Sequence, residues 1–325
     1  MFAYILRRLF YAIPILIGVN LLTFALFFVV NTPDDMARLQ LGVKHVTPEA
    51  IGRWKAEHGY DKPLLLNAEE KGMAQFTDTI FFQHSAAMFA FEFGKGDDGR
   101  DIGNEIRTRM GPSLAIALPV FVIGLLVNIT FALLMVFFRA TYLDLWGVVL
   151  CVVLMSVSGL FYIIAGQYFI AKLWNLLPIS GFAGSIDGLR FILLPVLVSV
   201  VAGIGSGARW YRTIFLEEIG KDYVRTARAK GLSEIRVLFR HVLKNGMIPI
   251  LTGVVVVLPL LFMGSLITES FFGIPGLGSY TIDAIQAQDF AVVRAMVFLG
   301  SFLYIVGLIL TDISYSWVDP RVRLQ

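Results

Sequence analysis

The clearest chemical pattern in this chain lies in a basic segment, residues 222–245, placed between two strongly apolar stretches. Its apolar side chains recur at the spacing of one helical face. They are Val224, Ala227, Leu232, Ile235, Leu238, Phe239 and Val242, while Arg225, Arg228, Arg236, Arg240 and Lys244 fall elsewhere. Gly231 interrupts the pattern, and Ser233 is placed to cap a following helix. The segment therefore predicts a helix, a tight corner and a second helix.

Periodicity alone leaves two interpretations of residues 222–245 open. A basic amphipathic helix is typical of elements that lie on anionic lipid. The same pattern fits a helix that docks against another protein. The corner at Gly231 favours docking, because a helix on a lipid surface gains nothing from a defined turn.

The sequence gives little support to catalytic or metal chemistry. Its four histidines lack ligand-like spacing, and its one cysteine, Cys151, has no second cysteine to bridge. Residues 94–99 match a dinucleotide pattern in form, but they carry two carboxylates and lack a βαβ context. No nucleophile–base pair stands in an apolar stretch, and no Walker-type phosphate loop occurs. We expect a non-enzyme that binds no cofactor and, with a net charge of only +3, no nucleic acid.

The composition predicts an all-α membrane protein. The chain is 57% hydrophobic and 16% charged, against about 45–50% and about 25% in soluble domains. A bilayer core of ~30 Å needs about 20 apolar residues in a helix. Six segments qualify, at approximately residues 9–30, 113–138, 144–173, 189–208, 247–269 and 292–316. The first is interpreted as a retained span, since it is longer than a signal-peptide core and lacks a small-residue cleavage site.

Orientation follows from Lys and Arg in the short connections. Nine of them lie in residues 209–245 against four acids, and others flank the ends of the chain, at Arg7, Arg8, Arg321 and Arg323. We therefore predict a multi-pass inner-membrane protein with both termini and the 209–245 loop in the cytoplasm.

The predicted organisation has three parts. Residues 1–30 form the N-terminus and first span, residues 31–111 an extracytoplasmic module, and residues 112–325 the transmembrane core. Thr47 and Pro48 predict a helix start inside the module. Phe81-Phe82 and residues 89–91 are expected to pack on the membrane surface or on the ends of the spans.

Three polar side chains stand within or at the ends of the predicted spans: Asn128, Gln167 and Glu269. Such groups line a transport pathway or hydrogen-bond between helices, and both roles stay open here. Glu269 is the best pathway candidate, because a Gly/Pro-rich stretch follows it. Residues 203–207, with three glycines, predict close packing of the fourth span against the fifth.

The segment from Asp222 to Leu232 resembles the cytoplasmic loop of ABC-importer permeases, most closely the dipeptide and oligopeptide subfamily. Further stretches are similar to that subfamily in the same order along the chain. They are Tyr4–Leu9 with Pro14 and Gly18, Tyr60–Leu64, Ile248-Pro249, Glu269–Gly278, Asp312 and Asp319–Arg321. Residues 31–35 and 91–96 depart from the usual pattern, and residues 67–90 are hard to align, which leaves the identity of the substrate open.

The resemblance implies a type I permease fold with six transmembrane helices. It also implies a second homologous permease, two ABC ATPase subunits that bind ATP and Mg²⁺, and an extracytoplasmic substrate-binding protein. The 222–245 loop would dock on one ATPase through Ala227, Arg228, Lys230, Gly231 and Leu232. Peptides are the implied substrates, although nickel, certain sugars and peptide-like antibiotics use similar permeases. A self-sufficient channel or secondary carrier is the alternative function.

Overall fold

The structure, a computed structural model, describes residues 2–28, 30–42, 46–184 and 188–318. Within these ranges the chain is helical, and its only β-pairing is an isolated bridge between Lys95 and Asp101. The first helices in chain order are α1 (Phe2–Phe28), α2 (Pro33–Leu41), α3 (Pro48–Glu57), α4 (Ala74–Thr77), α5 (Ile80–Phe89), α6 (Ile102–Phe137), α7 (Tyr142–Ser156) and α8 (Gly159–Gly166), which continues in wider π-helical turns to Leu173. Then follow α9 (Leu189–Ile219), α10 (Asp222–Ala229), α11 (Glu234–Val237, continued by π-helical turns to Leu243), α12 (Lys244–Leu260), α13 (Leu266–Phe272), α14 (Leu277–Ala287) and α15 (Phe290–Val318).

Five stretches of the described chain are long and apolar enough to cross a membrane, or six if one bent pair counts as a single span. This agrees with the predicted all-α architecture, although several boundaries differ. The fourth predicted span extends to Ile219 in α9, and the fifth begins earlier, at Glu234, and ends at Met263. The fifth span stops there because Gly264 adopts a left-handed φ of +67° and breaks the helix before Glu269.

The third predicted span is not one continuous helix. Helices α7 and α8 meet at an angle of 88°. Val157 and Ser158 are extended there, with ψ of 131° and 142°. The Tyr162 hydroxyl donates a hydrogen bond to the Leu154 carbonyl at 2.8 Å, which satisfies a group that the break leaves without a helical partner.

The described residues form two compact units. The first comprises Met1–Arg107 and Asp283–Ile305. In its inter-span module (residues 31–101), Thr32 and Thr47 cap α2 and α3 through side-chain hydrogen bonds, each followed by a proline at the start of the helix. The predicted helix start at Thr47 is thus confirmed.

A cluster of buried apolar side chains holds the inter-span module on the end of α1. Phe24 and Phe28 of α1 share it with Ile51, Trp54, Tyr60 and Ile80. The Phe28 and Tyr60 rings meet edge to face at 5.2 Å, and Phe81 packs on Phe24 at 5.1 Å. Phe81 therefore packs on a span end, as the sequence predicts.

The second unit comprises the described residues within 108–282 and 306–318. One of its apolar clusters joins the ends of α6, α9 and α12 to the basic segment and includes Ala132, Phe215, Val224, Val237 and Ile250. Within the predicted 203–207 stretch, Gly205 faces the Cys151 carbonyl and Gly207 faces Asn128. The predicted packing of these glycines against the fifth span is wrong, because Gly205 packs on α7, Gly207 packs on α6, and Gly203 has no atom within 4 Å of an added Cβ.

Candidate functional site

The basic segment folds as a closed corner, which we call the basic corner (residues 222–243). Helix α10 ends where Gly231 takes φ of +76°, and the Leu232 amide donates back to the Ala227 carbonyl at 3.4 Å. This left-handed turn is the usual helix C-terminus that glycine allows. Ser233 takes the extended N-cap conformation, but its hydroxyl makes no capping hydrogen bond among the described residues. The predicted side-chain cap is therefore wrong, while the predicted corner is present.

The apolar face of the basic corner is buried within this chain. Val224 and Ala227 are 0% and 4% exposed, and both belong to the cluster that includes Phe215 and Ile250. Leu232 is half-buried against the same cluster. Ala227 and Leu232 therefore fix the corner onto the long helices, and both also line the concavity on its outer surface.

An ion pair closes the corner from outside. Arg228 Nε and Nη2 donate to the two Glu234 carboxylate oxygens at 2.7 and 3.3 Å. The pair joins α10 to α11 across the turn at Gly231. Because both side chains are partly exposed, at 29% and 52%, the pair contributes about 0–1 kcal/mol.

Charge on the corner is divided between a paired and an unpaired part. Asp222 and Glu234 each pair with an arginine of the corner, at 3.5 and 2.7 Å. Lys230, Arg236 and Arg240 are exposed, and none of them has an ion-pair partner within the described ranges. These three side chains line a surface concavity of about 540 Å³, together with Tyr223, Thr226, Ala227, Leu232 and His241. The outward surface at the turn is therefore cationic.

Gly231 itself faces open space, because a Cβ added there would meet no atom within 4 Å. Lys230 beside it is also exposed. The tip of the corner is thus free for a partner to approach closely.

A further ion pair, missed by sequence reasoning, anchors the helices next to the corner. Arg212 on α9 donates to both Asp144 oxygens on α7, at 2.9 and 2.8 Å. Asp144 is 8% exposed. An acidic residue at the start of an otherwise apolar run was the available signal, since such a group needs a partner.

The second candidate region is the Glu269 turn (residues 264–279), which follows the fifth span. Glu269 is 1% exposed, and its carboxylate accepts three backbone N–H groups. The donors are Ser265 at 3.1 Å, Gly278 at 2.7 Å and Ser279 at 3.2 Å. A carboxylate held by this many donors acts as an anchor for the backbone.

The Glu269 carboxylate occupies space that side chains at two glycines of the turn would fill. A Cβ at Gly264 would lie 1.8 Å from Glu269 Oε1, and one at Gly276 would lie 2.2 Å from Oε2. Ser113 Oγ accepts the Leu277 N–H at 2.7 Å and joins α6 to the same turn. The turn is therefore a fixed structure built around one buried acid.

Glu269 also borders a cavity of about 620 Å³ between α6, α8, α9, α12 and α13. Its walls are apolar apart from hydroxyls such as Ser113, Ser158 and Ser199. A second cavity of about 220 Å³ contains Asn128 and shares Val120, Phe121 and Ser199 with the first. The structure thus brings Glu269 and Asn128 onto neighbouring cavities along α6 and α9.

The third polar residue, Gln167, makes interhelical contacts. Its Nε2 donates to the Ile179 and Phe271 carbonyls at 3.2 and 3.0 Å. Asn128 differs, because its buried Oδ1 has no hydrogen-bond partner among the described atoms. Of the three residues, Asn128 therefore has the most free polar capacity.

Long apolar helices of this number and length are typical of a protein that spans a membrane. Comparison with known proteins agrees. The family described as binding-protein-dependent transport system inner membrane component matches residues 108–324. The corresponding N-terminal family matches residues 1–92. The chain belongs to this family of binding-protein-dependent transport permeases.

Individual relatives match the chain over essentially its whole length. A putative peptide transport system permease protein of Brucella abortus is 31% identical over 99% of each chain. The dipeptide transport system permease protein DppB of Escherichia coli is 29% identical over 99% of each chain. The di/tripeptide transport system permease protein DppB of Pseudomonas aeruginosa is 32% identical over all of both chains.

Proposed function

We propose that this chain is a membrane subunit of an ATP-driven importer that moves short peptides into the cytoplasm. Its relatives, which match over their whole length, are peptide, dipeptide and di/tripeptide transport permeases by name, and this supports a peptide substrate. The observation that carries the proposal is the basic corner, whose buried face is continuous with α6, α9 and α12 while its tip is open and cationic. A loop built in this way can transmit a displacement imposed by a partner to the membrane-spanning helices.

The proposed complex contains a second, homologous permease, two ABC ATPases and an extracytoplasmic substrate-binding protein. ATP and Mg²⁺ bind on the ATPases, because this sequence carries no phosphate loop. The basic corner and both termini lie in the cytoplasm, in keeping with the excess of Lys and Arg there. ATP hydrolysis is thus a reaction of the partners, and this chain is not itself an enzyme.

Within the corner we assign separate roles to the residues of the docking motif. Gly231 and Lys230 face the ATPase, where glycine allows close approach and lysine offers a charge. Ala227 and Leu232 hold the corner on the membrane helices, and Arg228 stiffens the turn through Glu234. Because the corner is packed on its inner face, displacement of its tip rotates the attached helices.

The route for substrate follows the two neighbouring cavities on α6 and α9. The hydroxyls that line these cavities offer hydrogen bonds to peptide amides, and the Asn128 side chain lines the second cavity. We assign Asn128 to the route itself. Glu269 borders it and fixes its shape, and Gln167 holds the adjoining helices.

The docking role is tested by enlarging the tip of the corner. Gly231→Trp places a bulky ring where no neighbour lies within 4 Å, so we expect the complex to assemble. Uptake of radiolabelled alanyl-alanine into proteoliposomes loaded with ATP should fall at least tenfold. Gly231→Ala is the matched control, because it imposes the same left-handed backbone penalty with little bulk, and it should retain most of the transport.

Two results would contradict the proposal. Normal alanyl-alanine uptake by a well-expressed Gly231→Trp protein would exclude docking at this tip. Uptake by the chain reconstituted without ATPases, driven by an ion gradient, would instead establish the secondary-carrier alternative. Competition by unlabelled dipeptide, tripeptide, Ni²⁺ or maltose then identifies the class of substrate.

A further inference from the structure

A short apolar segment of the inter-span module has the composition of membrane-embedded chain. Residues 80–93 comprise α5, Ala90 and the tripeptide Phe91-Glu92-Phe93. Among Asp, Glu, Lys and Arg, only Glu92 occurs between Ile80 and Gly94. An apolar run of about 10–14 residues is too short to span a bilayer and is typical of buried or re-entrant segments.

Helix α5 runs back along α1, away from the end of that candidate span. Phe81 packs on Phe24 near the end of α1, with ring centroids 5.1 Å apart. Further along α5, Ser85 donates to Asn20 Oδ1 at 2.9 Å, and Asn20 Nδ2 lies 3.8 Å from Met88 Sδ. Asn20 precedes the last residue of α1 by two helical turns, which places it about 12 Å inside the span.

Helix α15 gives an independent measure of the same depth. Phe27 and Phe290 meet at 5.5 Å, so the end of α1 and the start of α15 lie at one level. Phe89 then packs on Phe298 at 5.4 Å, and Phe91 packs on Phe302 at 5.0 Å. At 1.5 Å per residue these contacts lie about 12 and 18 Å along α15.

The chain then returns to the level at which it started. Asp97 N–H donates to Asp289 Oδ2 at 2.8 Å, immediately before α15 begins. Asp97 lies six positions after Phe91, and an extended chain of that length reaches about 20 Å. The descent along α5 and the return after Phe91 therefore agree in length.

Apolar side chains of this segment remain uncovered by the chain itself. Phe82, Phe89 and Phe91 are 43%, 39% and 47% exposed. Phe91 also occupies the left-handed turn after α5, with φ of +60°, where a bulky residue is uncommon. In water, glycine would suit that turn better, and the exposed rings would be costly.

We propose that residues 80–93 form a re-entrant element that enters the bilayer from the side at which α1 ends and reaches about its midplane, with Phe82 and Phe89 in contact with acyl chains. The inter-span module is then anchored in lipid as well as on α1 and α15. Glu92 must turn away from the lipid, because a carboxylate facing acyl chains is strongly disfavoured. Its exposed side chain therefore faces water.

The test uses single cysteines in a Cys151→Ala background, since Cys151 is the only native cysteine. Nitroxide labels are placed at Phe82 and Phe89 in the whole complex, reconstituted in lipid nanodiscs. Controls are Leu22 on the exposed face of α1 and Met73, which is 85% exposed in the same module. Collision rates with oxygen, which concentrates in lipid, and with a nickel chelate, which stays in water, are then compared.

Labels at residues 82 and 89 should match Leu22, with at least fivefold lower nickel accessibility than at Met73. A label at Glu92 should be reached by the nickel chelate. Labels at 82 and 89 that match Met73 would overturn the proposal, because they would lie in water. Protection from both reagents would also overturn it, since protein would then cover these rings. As a measurement that needs no label at Phe89, hydrogen exchange of α5 amides in the unmodified complex should be as slow as in α1.

Discussion

The basic corner and the Glu269 turn are both glycine-containing turns next to a glutamate, yet they are built in opposite ways. In the corner, Gly231 faces open space and Glu234 is half-exposed in an ion pair. In the Glu269 turn, the acid is buried and two glycines lie against it. A glycine free of neighbours serves approach from outside, whereas a crowded glycine serves the internal framework. The exposure of the glutamate therefore separates the corner, which is the proposed docking surface, from the internal framework of the Glu269 turn.

The largest expected effect is that of Gly276→Ala in the Glu269 turn. Its Cβ would lie 2.2 Å from Glu269 Oε2 and 2.5 Å from Ser113 Oγ, so the anchored carboxylate must move. We expect a loss of more than about 4 kcal/mol, which is exceptional for one substitution. Yield of monodisperse protein and thermal unfolding in detergent provide the measurement. Gly111→Ala is the control, because no atom lies within 4 Å of its Cβ, and equal loss for both would remove the contrast.

Removing the buried acid comes next. Glu269→Ala leaves three backbone N–H groups without their acceptor, and each unsatisfied group costs about 1–3 kcal/mol. We expect a total loss of about 3–5 kcal/mol, with a smaller loss for Glu269→Gln, which keeps one acceptor oxygen. Glu234→Ala in the basic corner should cost about 0–1 kcal/mol, because its partner stays in water. Comparable midpoints of thermal unfolding for Glu269→Ala and Glu234→Ala would show that burial does not distinguish the two turns.

A third carboxylate, Asp97 in the inter-span module, shows the effect of burying an acid beside a second acid. Burial and then the nearby Asp289 raise the pKa of Asp97 from 3.8 to about 6, although His58 opposes the shift. Its side chain also accepts a hydrogen bond from Gln40, and His58 Nε2 lies 3.6 Å from Oδ1. Unlike Glu269, it shares its surroundings with a second acid. The folded module therefore binds a proton more tightly than the unfolded chain, and this stabilisation is lost as the pH rises from about 4 through 6.

Asp97→Asn should remove that dependence. The melting temperature of Asp97→Asn minus that of the native chain should increase by about 2–4 °C from pH 4.5 to pH 8. Asp98→Asn, at a neighbouring carboxylate that is 51% exposed, serves as the control. A difference that is constant with pH, or identical for the two variants, would contradict the assignment.

The smallest expected effect belongs to the ion pair of the basic corner. A double-mutant cycle with Arg228→Ala and Glu234→Ala should give a coupling energy of about 0.2–1 kcal/mol in thermal unfolding. Raising the salt from 0.05 to 1 M should reduce it further, because partly exposed charges are screened. A coupling well above this range would mean that the pair is as fixed as the Glu269 anchor.

The sequence predicted those features that depend on local pattern. The corner at Gly231, the helix start at Thr47 and the apolar spans each follow from a few neighbouring residues. Features that depend on distant contacts escaped prediction. The Asp144–Arg212 pair joins residues far apart in the chain, and the Glu269 anchor depends on backbone groups that only folding brings near. Gly205 and Gly207 correctly indicated close packing, but the sequence did not show which helices pack against them.

The 88° bend between α7 and α8 decides whether the chain crosses the membrane an even or an odd number of times. Each half is about 22 Å long, shorter than a hydrocarbon core of ~30 Å. If the pair crosses the membrane once, the chain makes an even number of crossings, and its two ends lie on the same side of the membrane. If the pair dips and returns, the number is odd and the ends are separated. The connection after Leu173 is therefore the most informative position for a topology reporter, since its side alone fixes the arrangement of every helix that follows.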